Sequence, residues 1–215
     1  DGYEWLIEIA FKENLLNQEF LECLEANGVS MNTNNWKNTI GHLAAEYDRL
    51  DVIQFMTEKN SSILERAGYE KKTIAHIAAE NGFTDIVRYI ARKRPSVFAK
   101  GDSRIVSSYP GYRWHQTTAF HLSIEKNIMD INTLKYLVKE GEVPITTRDS
   151  DWKTAAHIAA ENRNTEIVEY LVKEEPSIHA IQDVDGNTVL HILARKMALT
   201  AKGLEFMIDK GASLM

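Results

Sequence analysis

Five of the seven histidines stand in one repeated setting: His42, His76, His121, His157 and His191 each follow a threonine by three residues (Thr39, Thr73, Thr118, Thr154 and Thr188). A series of imidazoles raises a metal centre first, and zinc needs several nitrogens at about 2.0–2.1 Å from one ion. The histidines are 34, 45, 36 and 34 residues apart. Equivalent residues on adjacent packed helices lie about 8–10 Å apart. Histidines repeated in this way cannot share an ion, so they are expected to be structural, with no metal and no cofactor. His115 and His179 add no ligand cluster. Cys23 sits in Phe20-Leu21-Glu22-Cys23-Leu24, with no base nearby to make it a nucleophile, and is expected to be a small buried hydrophobe. Ser107 and Ser108, near His115, are the remaining nucleophile candidates, on a segment too exposed to shield chemistry. Gly101, Gly111 and Gly186 are isolated and make no phosphate-binding loop. These readings together predict no enzyme.

The elements that carry the histidines repeat. Thr39-Ile40-Gly41-His42-Leu43-Ala44-Ala45 returns as Thr73-Ile74-Ala75-His76-Ile77-Ala78-Ala79 and as Thr154-Ala155-Ala156-His157-Ile158-Ala159-Ala160. Looser copies begin at Thr118 and Thr188. Each copy is followed by apolar residues at three- and four-residue spacing, such as Ile86, Val87, Tyr89 and Ile90, or Ile167, Val168, Tyr170 and Leu171, which is a helical period. The unit is therefore helix, turn, helix and polar connector. Alone it cannot bury its apolar faces, whereas stacked units share one continuous core. The threonine hydroxyl is placed to cap the first helix, and the histidine three residues on can reach back to it, as in a capping box. Small alanines after the histidine let helices approach closely.

Composition sets the outer limits. The 215 residues are 44% hydrophobic, enough for a folded interior, and only four prolines and eleven glycines are spread along them, so no flexible linker divides the chain. A net charge of −6 argues against nucleic acid, which requires a basic surface. A single cysteine permits no internal disulfide and fits a reducing, cytoplasmic compartment. No stretch approaches the roughly 20 apolar residues that would cross a bilayer. Asp1-Gly2-Tyr3 is not a signal peptide, and the missing initiator methionine suggests a processed or excised piece.

These residues resemble the ankyrin repeat, whose pattern reads Thr-Pro-Leu-His-x-Ala-Ala, a second helix and a β-hairpin to the next unit. Ala79-Glu80-Asn81-Gly82-Phe83-Thr84-Asp85-Ile86-Val87 is an especially close match. The motif proline is absent from all five copies, and the turn glycine two residues before the threonine survives only as Gly186. The resemblance implies an all-α solenoid of about six helix-turn-helix units joined by β-hairpin-like loops, as one domain over residues 1–215. The units run 1–33, 34–67, 68–101, 102–148, 149–182 and 183–215. The first is degenerate, with Trp5 and Glu8 in place of the threonine and histidine, and its second helix ends at Asn27-Gly28. The last ends at Gly211-Ala212-Ser213, where a hairpin normally leads onward, so a longer parent is expected.

The resemblance also implies binding of another protein through the hairpin tips and the exposed concave face of the first helices. The residues this nominates are Trp36, Tyr47, Tyr69, Tyr109, Tyr112, Trp114, His115, Asp151, Trp152 and Asp185. Tryptophan and tyrosine give large contact area at small entropic cost, although each ring has a plain alternative as filler between hairpins. The basic run Arg88, Arg92, Lys93, Arg94, Lys100 and Arg104 is expected on an outer helix as a solvated surface, with an acidic partner or anionic membrane surface as the alternative. A scaffold that is monomeric and not membrane-inserted is the leading expectation. Its rivals are the targeting or regulatory arm of a larger enzyme, a segment of a membrane channel, and a bacterial effector delivered to a host cytosol. The 45-residue spacing marks an insertion, 103–113, within one hairpin, and insertions in repeat proteins often lie on the binding face. Deleting residues 103–113 should leave the fold intact, as read by circular dichroism, and weaken partner binding. Unchanged affinity would remove the insertion from the site.

Overall fold

The computed structural model describes residues 3–29, 38–101, 104–105, 114–115, 117–141 and 143–212. Among them twelve α-helices follow one another as six pairs. The first helices of the pairs are α1 (Tyr3–Lys12), α3 (Ile40–Glu46), α5 (Ile74–Asn81), α7 (Ala119–Glu125), α9 (Ala155–Glu161) and α11 (Val189–Arg195). The second helices are α2 (Gln18–Ala26), α4 (Leu50–Lys59), α6 (Thr84–Lys93), α8 (Ile131–Lys139), α10 (Thr165–Glu174) and α12 (Ala201–Asp209). The first helices form one row, α1 on α3, α3 on α5, α5 on α7, α7 on α9 and α9 on α11; behind it α6, α8, α10 and α12 pack in order. Two short antiparallel strands, β1 (Arg104–Ile105) and β2 (Trp114–His115), lie between the third and fourth pairs.

Packing follows the apolar spacing. In α6 the buried residues are Ile86, Val87, Ile90 and Ala91, and in α10 they are Ile167, Val168, Leu171 and Val172. Each is a single stripe with the charged residues opposite it. The inner row is lined with fully buried alanines, Ala44, Ala45, Ala78, Ala79, Ala159 and Ala160, whose small size sets the close helix approach. Three 3₁₀ turns follow second helices, at Ser61–Glu65, Pro95–Ala99 and Pro176–Ala180. Two open on proline, which is pre-set for a first helical position and gives up only an N–H that would be unpaired there. They drive Ile63, Leu64, Val97, Phe98 and Ile178 into the core against the next inner helix. Each fully buried side chain of this size is worth about 1.5–3 kcal/mol, and most of that burial depends on a neighbouring unit.

The Thr-x-x-His element forms the junction between units. In all five copies the threonine Oγ1 lies 2.8 Å from the histidine Nδ1. The backbone N–H of Thr39, Thr73, Thr154 and Thr188 donates to the same Nδ1 at 3.0–3.3 Å. Those four form reciprocal capping boxes, and at Thr118 the hydroxyl accepts the His121 N–H at 3.3 Å. Because a backbone N–H only donates, Nδ1 must accept, which puts the ring proton on Nε2. That proton goes to a carbonyl of the connector that leads into the next inner helix: His42 to Lys72, His76 to Thr117 and His157 to Asn187, each directly before the next threonine, and His121 to Thr147, seven residues before Thr154, at 3.0–3.3 Å. Gly68 lies directly against the His42 ring, where a Cβ would collide with it.

Burial holds the imidazoles of His42 and His121 at a pKa of about 4, well below the ordinary 6.5, and lowers that of His157 in the same direction. A depressed histidine pKa means that the unfolded chain takes up protons first as pH falls. The junctions therefore contribute in full above about pH 6.5 and are lost towards pH 4, at about 1.4 kcal/mol per pH unit for each histidine. Urea unfolding between pH 7 and 4 should follow that loss, with a shallower slope in His121→Gln. A pH-independent midpoint would contradict neutral buried imidazoles. At pH 7, Thr154→Ala should cost roughly 1 kcal/mol. His157→Ala should cost about 2–3 kcal/mol, because it strips the Thr154 N–H and the Asn187 carbonyl of their partner.

Candidate protein-binding site

Each junction leaves a hairpin tip just ahead of its threonine, and three tips are described in full. They share one closing hydrogen bond, although the first tip has two left-handed residues, Glu70 and Lys71, and the others have one. The first residue donates its N–H to the carbonyl of the fifth: Gly68 to Lys72, Asp149 to Lys153 and Asp183 to Asn187, at 2.7–2.9 Å. In the last two tips an aspartate carboxylate also fastens the turn, Asp149 accepting the N–H groups of Asp151 and Lys153, and Asp183 those of Asp185 and Asn187. This is the side-chain-to-backbone closure that favours aspartate in turns. Burial pushes the Asp149 carboxyl above its ordinary value. Tips are tied sideways too, the Tyr69 N–H donating to Asn38 Oδ1 at 2.8 Å and the Val184 N–H to the Asp151 carbonyl at 3.0 Å.

With the backbone groups spent internally, the side chains of the tips face outward. Tyr69 is 60% exposed, Val184 56% and Trp152 43%, and Asp151 and Asp185 are exposed beside them. The fourth tip residue is Lys71, Trp152 or Gly186, with φ of 57°, 62° and 80°. That is the left-handed region, open to glycine and costly for other residues. Trp152 thus occupies a position whose backbone asks for glycine, and the Arg148 guanidinium lies 5.4 Å from its ring centroid. Arg148 escapes a search for aromatic tips; the available signal is that it directly precedes the turn aspartate.

The other nominated residues divide into three groups. Tyr47 stacks on Phe11 with centroids 5.5 Å apart and planes at 13°, so one face of its ring packs the first unit against the second. Trp114 and His115 supply the backbone of β2, paired with Ile105 and Arg104. A bridge between Gly101 and Thr118 continues the pairing inward, so the insertion prolongs a hairpin. Trp36, Tyr109 and Tyr112 lie outside the described residues, as do Ser107 and Ser108.

On the inner helices, polar side chains are committed to structure. Lys72 pairs with Glu80 and Lys153 with Glu161, each at 3.0 Å, while Asn162 donates to the carbonyls of Ile124 and Glu125 in the preceding unit. Three members of the basic run have acidic partners: Arg88 meets Asp85 and Asp130, and both Arg94 and Lys100 meet Glu65. The expectation for Cys23 fails, because the residue is exposed. The buried stripe of α2 is Leu21 and Leu24, and Cys23 points off that stripe with its sulfur 3.6 Å from Asn27 Nδ2. Among the described residues no group of three or more histidine, cysteine or acidic side chains could hold a metal, and no helix is long and apolar enough to cross a membrane.

If Trp152 were filler, removing it would cost what a core aromatic costs, about 3–5 kcal/mol. At a left-handed, half-exposed position, Trp152→Gly relieves backbone strain while losing a cation–π contact and stiffening no unfolded chain, terms of about 0.5–1 kcal/mol each that nearly cancel. Its unfolding free energy should therefore stay within about 1 kcal/mol of wild type, whereas Phe120→Ala, in the core, should lose several. Equal losses would make Trp152 a packing residue.

The frame has known counterparts. A model of ankyrin repeats (3 copies) matches residues 6–101, 97–180 and 120–215. No curated protein sequence matches the chain. Among solved structures, the chain is similar to one in the Bd0816 predatory endopeptidase of Bdellovibrio bacteriovorus in complex with immunity protein Bd3460. That match has 19% identity and a TM-score of 0.67, over 93% of this chain and 96% of that one. It is similar to the ankyrin repeat domain of Bcl-3, a member of the IkappaB protein family, at 18% identity and a TM-score of 0.64, over 96% of this chain and 86% of that one. At such identities the likeness carries the fold alone. With the repeat model spanning almost the whole sequence and the Thr-x-x-His cap built five times over, the chain belongs to the ankyrin-repeat family.

Proposed function

We propose that the protein is a binding scaffold that holds a partner protein against its row of hairpin tips and the adjoining concave side of the inner helices. The observation that carries this reading is the set of three equivalent tips. Each backbone closes on itself, that of Val184 is also tied to Asp151 and that of Tyr69 to the Asn38 side chain, and the side chains of Tyr69, Trp152 and Val184 remain exposed. Large exposed aromatics are what binding hot spots use, and the buried junctions beneath them fix their spacing. The similar endopeptidase structure is itself a complex with an immunity protein, which agrees with protein as the class of partner. Tyr109, Tyr112, Trp114, His115 and Trp36 extend the same row in sequence, and Asp151 and Asp185 border it.

The reading separates binding from folding. A triple variant, Tyr69→Ser, Trp152→Gly and Val184→Ser, should keep its helical circular dichroism and its melting temperature within a few degrees. Binders selected against the wild-type chain from a displayed protein library should be lost on it, each hot-spot truncation weakening binding by about 2 kcal/mol or more. Binders that hold the triple variant as tightly as the wild type would remove the tips from the site.

A further inference from the structure

The last two described tips define what they can bind more narrowly, and this step rests on the tip reading above. The hydrogen bond from the Val184 N–H to the Asp151 carbonyl, at 3.0 Å, sets the fifth and sixth tips edge to edge. It places the backbone of Val184 against Asp151, the residue directly before Trp152, and both Trp152 and Val184 are exposed. Asp151 and Asp185 occupy the same place in their turns, one residue ahead of Trp152 and Gly186, and both are exposed. Beneath them Asp149 and Asp183 add two further carboxylates, tied to backbone N–H groups. Two cations stand among these four acids. Lys153 is engaged closely by Glu161 at 3.0 Å and more loosely by Asp151 at 3.8 Å, and Arg148 lies over the Trp152 ring. Burial alone would lower the Lys153 pKa, yet Glu161, Asp151 and Asp149 outweigh it and raise it, so the field here favours positive charge. A cleft of about 470 Å³ opens beside the patch between Trp152, Arg148 and the Ser177–Asp183 stretch.

We propose that this patch takes a segment of the partner that presents an apolar side chain flanked by lysine or arginine: the apolar group lies on Trp152 and Val184, and the flanking cations meet Asp151 and Asp185. The strained backbone at Trp152 fits this assignment. A bulky residue held in the left-handed region is a cost, and 43% of Trp152 nonetheless faces solvent, where a partner can reach it. Asp149, Asp151, Asp183 and Asp185 outnumber Arg148 and Lys153 in these two tips, and like charges across an interface oppose the binding of an acidic segment.

The test selects a displayed library of random twelve-residue peptides on the 215-residue chain at 0.15 M salt. Calorimetry then measures the strongest binders, as synthetic peptides, on the wild type, Trp152→Gly, Asp151→Asn with Asp185→Asn, and Tyr69→Ala. The expected result is enrichment of lysine and arginine around an apolar residue. Affinity should fall about tenfold or more on Trp152→Gly and on the double asparagine variant, with a steeper loss at high salt in the wild type. Acidic or uncharged winners, no enrichment, or basic winners indifferent to both variants overturn the proposal. Peptides that lose affinity on Tyr69→Ala and not on Trp152→Gly overturn it while leaving the tip reading in place. Peptides indifferent to all three variants remove the tips as well.

Discussion

The hydrogen bond from a histidine Nε2 to a carbonyl of the connector leading into the next inner helix is the constraint on which the molecule depends. It is made at four successive junctions, by His42, His76, His121 and His157, and in each the other ring nitrogen is held by the threonine that begins the same helix. One side chain thus caps its own helix and anchors the next hairpin. A buried imidazole with one nitrogen unpaired would be expensive; here both are used, which is why a polar ring can occupy the middle of an apolar interface. The last copy shows what the junction needs. His191 keeps its contact with Thr188 and, with no further described unit against it, is exposed where the other four are buried.

The junction also explains how labour is divided along each unit. Positions from the threonine to the second alanine are buried and small or apolar, and variation there is limited by close packing. The five residues ahead of the threonine close their backbone on themselves, so their side chains carry little of the packing and can differ from unit to unit. Gly68, Asp149 and Asp183 at the first tip position, and Lys71, Trp152 and Gly186 at the fourth, illustrate that freedom around one closing hydrogen bond. Recognition residues can thus be exchanged without rebuilding the core, provided that the strain they bring is offset elsewhere.

Much of this was legible in the sequence because it repeats. The threonine–histidine spacing, the apolar stripes of the second helices and the alanine pairs gave the helix pairs, the capping box and the site of the insertion. What the sequence could not give depended on three-dimensional neighbours. The partner of each Nε2 lies 26 to 41 residues away, a distance no local pattern announces. The strain at Trp152 could be suspected only by aligning it with Gly186, and Arg148 became part of the site only when its guanidinium was found over the ring. Tyr47 read as a free aromatic until its stacking on Phe11 appeared. Cys23 was misread because an apolar run of five residues covers more than one helix face, and burial there follows Leu21 and Leu24. The basic run read as a solvated surface, and the sequence did not announce that Arg88, Arg94 and Lys100 find Asp85, Asp130 and Glu65, which come from different elements.

Long-range ¹⁵N–¹H correlation of the histidine rings at pH 7 addresses the junction most directly, because it reports which ring nitrogen carries the proton. The account requires the neutral Nε2–H form at His42, His76, His121 and His157, with a bare Nδ1 accepting from the threonine. A proton on Nδ1 at these positions, or rapid exchange between the two forms as in a free imidazole, would mean that the units are not joined in this way.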